Sequence, residues 1–298
     1  IENAYHDLLK EGEDYKSFDG ICLTDTFQLG EPDADSKLFS DMFPQNSKRV
    51  EQQKKAPLRV IIGNPPYSVG QKSANDIAQN QKYTQLDNRI ESTYSKKSRA
   101  INNKSLYDAY IKAFRWSADR LDPENGGVIA FVSNGAWIEG NSTDGFRKCL
   151  EDEFSSIYVF NLRGNQRTSG ELSRKEGGKI FGSGSRTPIS ITLLVKNPNA
   201  TNENAKIHYH DIGDYLKREE KLQIVKDFAT ISNPKLNLKT LNPNKEGDWI
   251  NKRNESFKTF IPAKENKKGD NEEFFTLMTL GIGSNRDIWV YNFSKSIL

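Results

Sequence analysis

One short stretch, in which an apolar run ends in two successive prolines, constrains the fold of this chain most. Residues 60–62 are predicted to form a buried strand, because continuous β-branched runs are typical of parallel sheets. Pro65 and Pro66 fix φ and remove two amide donors, so the strand must end before them. Asn64, the Pro65 carbonyl and the Tyr67 ring are therefore predicted to lie at the carboxyl edge of a sheet, where open α/β folds bind ligands.

This Asn-Pro-Pro-Tyr corner suits transfer of a methyl group to a planar amine. The lone pair of such an amine is delocalised into its ring, and two acceptors aimed at its N–H bonds would favour the localised form that attacks. The side-chain oxygen of Asn64 and the carbonyl of Pro65 are predicted to be these acceptors, and Tyr67 is predicted to stack on the base. An ordinary turn is the alternative interpretation, although a chance match to four residues is expected in only about one chain in a thousand of this length.

Composition excludes a membrane-spanning protein and allows one large α/β domain followed by a smaller one. Of the 298 residues, 35% are hydrophobic and 28% are charged. The mean hydropathy is -0.75, and no apolar run approaches the ~20 residues that a membrane helix needs. Cys22 and Cys149 lie in apolar segments and are predicted to be buried free thiols, which indicates a reducing compartment, the cytoplasm.

Two segments concentrate positive charge, although the net charge of the whole chain is only +3. Residues 68–104 carry seven Lys/Arg against three Asp/Glu, and residues 163–186 carry six against two. Both are predicted to be long loops, and Tyr83 and Tyr94 in the first would suit contact with unpaired bases. Solvated loop charges without a nucleic-acid role are the alternative.

Helical and strand patterns alternate along the middle of the chain, which predicts a parallel, helix-flanked sheet. A short strand at 21–23 is predicted to end just before Asp25. Beyond residue 205 the pattern changes to a strand, a charged helix and polar loops, which indicates a second unit. The predicted helices are 105–121, 144–154 and 214–228, and the other predicted strands are 128–132, 157–162, 189–195 and 206–210.

Two histidines, two glycines and one phenylalanine are further candidates for a functional role. His208 and His210 share one face of a predicted strand, but no third ligand accompanies them, so no metal site is predicted. Gly182 and Gly184 do not form a phosphate loop, because a strand rather than a helix follows them. Phe181 beside these glycines is either a core residue or an aromatic wall of a base pocket.

The motif Asn64-Pro65-Pro66-Tyr67 resembles the catalytic motif of amino-group DNA methyltransferases, and the Asn in first place resembles the adenine-N6 type. Asp25 resembles the residue of these enzymes that binds the cofactor adenine, and its position before the catalytic motif is similar to the γ class. The likeness is closer still to the methyltransferase region of type ISP restriction–modification enzymes. The stretches that carry it are residues 20–27, 106–110, 178–186 and 284–287.

The resemblance implies a fold, a cofactor and a role for each site residue. The fold would be an incomplete, Rossmann-like methyltransferase sheet in residues 1–204, followed from 205 to 298 by the start of a smaller α+β target-recognition region. The cofactor would be S-adenosylmethionine, held by Asp25, Phe27 and Asn64. Phe181 would stack on the other side of the flipped base, with Phe160 as second choice. Double-stranded DNA would be the partner.

One departure from the family concerns the cofactor site. The Phe-x-Gly-x-Gly loop and the acidic ribose ligand should precede Asp25, yet no Gly-x-Gly occurs before Asn64. The chain is therefore predicted to be a fragment without its first strands, which alone neither binds the cofactor tightly nor methylates. Nuclease and ATP-driven translocase regions are expected upstream.

Three alternative functions remain open at this point: transfer to cytosine N4, transfer to a protein glutamine amide, or a DNA-binding module without catalysis.

Overall fold

The computed structural model describes residues 20–32, 42–66, 82–182 and 186–252, together with Asp7, Phe18, Ser256 and residues 259–261. The chain divides into two compact units, Ile1–Asn251 and Lys252–Leu298. The sheet and all helices described below belong to the first unit.

Six strands form one mixed sheet in the order β1-β2-β4-β3-β5-β6. β1 is parallel to β2 and β3 is parallel to β5, whereas β4 is antiparallel to both β2 and β3, and β6 is antiparallel to β5. The mixed α/β fold is confirmed. The strands are β1 (Val60–Gly63), β2 (Gly127–Asn134), β3 (Ser156–Arg163), β4 (Ile189–Lys196), β5 (Lys206–Asp211) and β6 (Lys239–Leu241).

The prediction of a wholly parallel sheet was wrong for β4, which inserts between β2 and β3. The connection from β3 to β4 starts at the carboxyl end of β3 and contains only one short helix, so it returns at the same edge of the sheet. A parallel partner would need a crossover along the whole sheet. The sheet also continues through β5 and β6, beyond the predicted boundary at residue 205. That boundary stays a prediction about function.

Among the described residues, six α-helices accompany the sheet. The predicted amphipathic helix appears as α3, preceded by a 3-10 turn at Lys104–Tyr107. Pro44 occupies the first turn of α1, where its missing N–H leaves no intrahelical bond unmade. The helices are α1 (Pro44–Lys55), α2 (Thr84–Ile90), α3 (Ala109–Arg120), α4 (Asp144–Glu153), α5 (Gly170–Glu176) and α6 (Arg218–Phe228).

The segment predicted to be a long loop at 68–104 contains α2, which continues as a π-helical turn, Glu91–Ser95. Its apolar residues follow one another at helical spacing and are all buried in the main core. This helical stripe contradicts the prediction that its two tyrosines lie in a loop that contacts nucleic acid. The stripe consists of Tyr83, Leu86, Ile90 and Tyr94.

The strand predicted at 21–23 is not paired in the part of the chain that the structure describes. The Asn46 side chain of α1 takes the place of a neighbouring strand: its Oδ1 accepts from the Leu23 N–H at 2.7 Å, and its Nδ2 donates to the Leu23 carbonyl at 2.9 Å. An amide side chain can satisfy an extended backbone in this way.

The two sides of the sheet are covered differently. On one side, which we call the covered face, Ile129, Phe131, Val159 and Leu194 are buried against α2, α3 and α4. On the other side, α6 and the loop before β4 cover the far end of the sheet, where a smaller cluster contains Leu162, Ile180, Ile189 and Ile212. The remainder of that side, the open face, includes the apolar residues Val60, Ile62, Val128, Ala130, Leu193 and Val195, all exposed or half-buried.

Neither cysteine forms a disulfide; Cys149 is buried as predicted, whereas Cys22 is only half-buried. Within the described residues, no helix has the length and apolar character needed to cross a bilayer.

Candidate active site

The Asn-Pro-Pro corner lies where sequence reasoning placed it, directly after β1. β1 pairs in parallel with β2 so that Gly63 lies beside Phe131, and Asn64 follows at the carboxyl end of the strand. Pro65 is buried, whereas Asn64 and Pro66 are exposed. The neighbouring β2 and β3 have the same direction, so their carboxyl ends share this edge of the sheet.

Gly63 allows this close approach. A Cβ added to Gly63 would lie 2.9 Å from Cε1 of Phe131, a ring that is itself buried in the core. A larger residue would therefore displace either the ring or the strand that carries the corner. Tyr67, the predicted stacking residue, lies outside the described residues.

Asp25 is held by two donors. Its Oδ1 accepts from the Phe27 N–H at 3.0 Å, and its Oδ2 accepts from the Tyr83 hydroxyl at 2.6 Å. Phe27 is half-buried, and its ring contacts that of Tyr83 edge to face, with centroids 5.3 Å apart. Burial raises the pKa of Tyr83, and the hydrogen bond to the Asp25 carboxylate raises this pKa further. The hydroxyl therefore stays a donor.

This arrangement leaves Asp25 room for a further donor. A carboxylate offers about four lone-pair positions, of which the described residues use two. Together with the half-buried Phe27 ring, it is a fitting site for the amino group and ring of an adenine. The residues present therefore fit the adenine end of S-adenosylmethionine.

The Asp25 segment is fastened to α2 at a second point. The carboxylate of Glu31 accepts from the backbone N–H groups of Gln85 and Leu86, at 2.9 and 3.0 Å. These are N–H groups of the first turn of α2, which lack partners within the helix. The sequence did not indicate Glu31 and indicated a different role for Tyr83, since each contacts a segment more than fifty residues away.

Phe181 lies in the loop between β3 and β4 and is half-buried. It packs against the smaller cluster, as does Val132 of β2, which is the residue after the partner of Gly63. Phe160, the second choice, lies on β3 and contacts the rings of His210 and Phe228, with centroids 4.8 and 5.8 Å away. Both rings thus pack against the smaller cluster, and the assignment of Phe181 as the base-stacking residue stays a prediction.

Helix α6 anchors the segment that carries Phe181. The ammonium of Lys221, which is fully buried, donates to the carbonyls of Glu176 and Gly178 at 2.7 and 2.9 Å. Nε of Arg218 donates to the Ile180 carbonyl at 2.8 Å. Burial lowers the pKa of Lys221 to about 8.

The predicted base contacts of Tyr83 and Tyr94 are wrong. Their exposed fractions are 4% and 0%, so neither ring can stack on a base. Tyr94 instead packs on Phe146, with ring centroids 5.0 Å apart. Burying these rings between α2, α3 and α4 removes more apolar surface from water than exposure in a loop would allow.

Part of the positive charge is neutralised by the protein itself. Arg163 pairs with Asp211 at 2.7 Å and also with Asp214. Arg89 forms two hydrogen bonds to Asp119, and Lys97 pairs with Asp152. Phosphate contact therefore stays a prediction for the exposed basic residues of these segments that form no ion pair with another described residue, which are Lys82, Lys96, Arg99, Lys104, Arg167 and Arg186.

Asp108 is a half-buried carboxyl that sequence reasoning did not single out. It precedes the first residue of α3, and burial raises its pKa to about 7, although the nearby Arg167 lowers it in part. No group of three or more His, Cys, Asp or Glu residues that could hold a metal occurs among the residues with described positions.

Comparison with known proteins gives consistent matches. The family model of the Eco57I restriction-modification methylase matches residues 5–166. A nuclease-deletion mutant of the type ISP restriction-modification enzyme LlaGI, solved with a DNA substrate mimic, is 44% identical with a TM-score of 0.85; the match covers 100% of this chain and 23% of that one. The ATP-dependent type ISP enzyme LlaBIII bound to DNA is 37% identical with a TM-score of 0.88, over 99% of this chain and 19% of that one.

The DrdV–DNA complex is 33% identical with a TM-score of 0.80, and the match covers 95% of this chain and 27% of the other. The chain thus spans about a fifth to a quarter of the length of these proteins. No curated protein matches it significantly.

Proposed function

Since the chain belongs to the Eco57I restriction-modification methylase family, we propose that it carries the catalytic corner of a DNA methyltransferase within a restriction–modification enzyme. The reaction is transfer of a methyl group to the N6 amino group of an adenine turned out of the duplex. The observation that carries this proposal is the Asn64-Pro65-Pro66 corner at the carboxyl end of β1, with Pro65 buried as its foundation.

The corner acts by orienting the amino group. The Asn64 side-chain oxygen and the Pro65 carbonyl accept hydrogen bonds from its two N–H groups. The nitrogen lone pair then turns out of the ring plane and toward the methyl donor. After transfer, the nitrogen is positively charged and releases a proton to water without a strong base. Tyr67 and Phe181 hold the plane of the extruded base.

S-adenosylmethionine supplies a methyl group on a positively charged sulfur when it is bound. Asp25 would accept a hydrogen bond from the amino group of its adenine, and the Phe27 ring would contact the adenine plane. The two lone-pair positions that remain on Asp25 support this assignment.

The wider assembly is part of the same proposal. Residues 1–204 supply the catalytic part, and residues from 205 begin the target-recognition region. Because this chain covers only 19–27% of the length of the relatives and those relatives were solved with DNA, we propose that double-stranded DNA is the partner and that nuclease and translocase regions belong to the same polypeptide. The isolated chain is then expected to be inactive.

The test uses the complete enzyme and methyl-labelled cofactor. Label should enter duplex DNA, and digestion should yield N6-methyladenine. Asn64→Ala should lower the rate of transfer by about 10²–10³-fold or more while DNA affinity is retained. The matched control is Asn199→Ala, an exposed asparagine just after β4 at the opposite edge of the sheet, which should leave the rate unchanged.

Other products would reject the proposal in distinct ways. N4-methylcytosine would reject the base, label in protein would reject the substrate class, and absence of any transfer would favour a DNA-binding module without catalysis. An unchanged rate for Asn64→Ala would remove Asn64 from its role.

A further inference from the structure

The contact between Tyr83 and Asp25 joins two segments that are 58 positions apart in the sequence. Tyr83 is almost fully buried, and its hydroxyl donates to Oδ2 of Asp25 at 2.6 Å. The Phe27 N–H holds the other oxygen, Oδ1, at 3.0 Å. Because both oxygens are held by donors from different directions, the plane of the carboxylate is fixed before any ligand arrives.

The Tyr83 ring is itself fixed on several sides. It directly precedes α2, whose first turn is capped by Glu31 of the Asp25 segment. The ammonium of Lys112 lies 5.2 Å from the ring centroid, and Lys112 is held in turn by Asp87 at 2.6 Å. The main core therefore holds the hydroxyl in a fixed position, and the hydroxyl in turn positions the loop that carries Asp25.

We propose that Tyr83 is a positioning residue for the cofactor, which orients the Asp25 carboxylate so that its remaining lone pairs meet the amino group of the adenine. This inference rests on the proposed function, in which Asp25 binds that adenine. It makes a more specific prediction than the proposed function does, because it concerns one chemical group of the ligand. The Tyr83 hydroxyl should raise the affinity only for ligands that carry the exocyclic amino group, because it acts through the carboxylate that accepts a hydrogen bond from that group.

Tyr94 offers a matched control in the turn that continues α2. It is also fully buried, yet its hydroxyl has no hydrogen-bond partner among the residues that the structure describes. Its ring contacts Phe146 and lies 5.3 Å from the Arg115 guanidinium, as the Tyr83 ring contacts Phe27 and Lys112. Replacing either tyrosine by Phe removes a single oxygen from a buried ring, but only at Tyr83 does that oxygen reach Asp25.

The experiment measures binding of two ligands to the complete enzyme by calorimetry. S-adenosylhomocysteine carries the amino group, and S-inosylhomocysteine carries a carbonyl in its place. Tyr83→Phe should weaken binding of the adenosyl ligand about tenfold and leave that of the inosyl ligand within about twofold. Tyr94→Phe should change neither affinity, and the melting temperature of each variant shows that it is folded.

Asp25 variants separate this inference from the proposal beneath it. Asp25→Ala should weaken the adenosyl ligand by about 10–100-fold and abolish the additional effect of Tyr83→Phe in the double variant. If Asp25→Ala leaves adenosyl binding unchanged, the assigned adenine site is wrong and the inference falls with it. If Asp25→Ala weakens binding but Tyr83→Phe does not, only the inference is overturned.

Equal weakening of both ligands by Tyr83→Phe would also overturn the inference, because it would show a general structural role. Asp25→Glu serves if Tyr83→Phe fails to fold, since it keeps the charge but moves the carboxylate away from the hydroxyl. It should weaken the adenosyl ligand about as much as Tyr83→Phe was expected to. Wild-type affinity for Asp25→Glu would show that the position set by Tyr83 is unimportant.

Discussion

The covered face and the open face of the sheet are built from alternate residues of the same strands, yet they differ sharply in burial. On β2, Ile129 and Phe131 are buried against helices of this chain, whereas Val128 and Ala130 are only half-buried. On β1 the contrast is larger, since Val60 and Ile62 are 64% and 79% exposed. Both faces are nonetheless apolar, which is typical of sheets with helices on both sides.

This difference separates the face that the helices of this chain bury from the face that they leave exposed. The covered face, with α2, α3 and α4, positions the corner after β1 and the Tyr83–Asp25 contact. The residues of the open face are apolar, like those of a protein core, but they are not buried. An exposed apolar face on a sheet is commonly an interface with another part of a protein. We therefore expect that another part of the longer polypeptide covers it in the complete enzyme.

The covered face should give the largest stability effect. Phe131→Ala removes a buried ring that contacts Phe114, with centroids 5.0 Å apart, and that lies against Gly63. The free energy of unfolding of the 298-residue chain should fall by about 3–5 kcal/mol, because a cavity replaces the ring. Urea unfolding followed by circular dichroism measures this change. A loss below about 1 kcal/mol would mean that this face is not the core.

Local patterns predicted much of this covered face. The helical spacing from Tyr107 to Leu121 marked α3, and the apolar runs marked β1 and β2, because these signals lie within a few consecutive residues. The antiparallel insertion of β4 escaped prediction, since strand order depends on where distant segments pair. The proline corner was predictable because two prolines stop a strand whatever its neighbours are.

The candidate site divides in the same way. The neighbours of Asn64 in the sequence are enough to propose it as a site residue, whereas the contacts of Tyr83 and Glu31 with distant segments appear only when α2 packs beside the Asp25 segment. The stripe formed by Tyr83, Leu86, Ile90 and Tyr94 could have revealed the helix. Polar residues between these positions made the segment resemble a loop, although burial of the stripe outweighs their weak preferences.

The half-buried carboxyl of Asp108 should give a smaller stability effect that depends on pH. The folded pKa of Asp108 is raised to about 7 by burial, from an ordinary value of 3.8, so the folded state holds a proton that the unfolded state has released. Stability from this group is full below pH 4 and is lost as pH rises through 7. Asp108→Asn should therefore raise the free energy of unfolding by about 1–2 kcal/mol at pH 8, and by much less at pH 5.

Asp144→Asn is the matched control for this pH dependence and should have the opposite sign. Burial alone would raise the pKa of Asp144, but hydrogen bonds from the Ser98 hydroxyl and the Arg99 N–H hold this pKa below its usual range. The variant should be less stable than wild type at pH 8 and by the same amount at pH 5, because the difference shrinks only when pH falls below the ordinary carboxyl value of 3.8. Urea midpoints at pH 5 and pH 8 measure both variants. If the two variants changed stability in the same direction at pH 8, the opposite environments assigned to these carboxyls would be wrong.

The open face should give the smallest effect in this chain and a large one in the complete enzyme. Ile62→Ala removes a side chain that is 79% exposed, so the free energy of unfolding of the 298-residue chain should change by no more than about 0.5 kcal/mol. If other parts of the polypeptide cover Ile62, the same substitution in the complete enzyme should cost about 2–5 kcal/mol. Denaturant unfolding of the two proteins in parallel measures this difference. Equal, small changes in both would show that the open face stays exposed to solvent, and a large change in the chain alone would erase the contrast between the two faces.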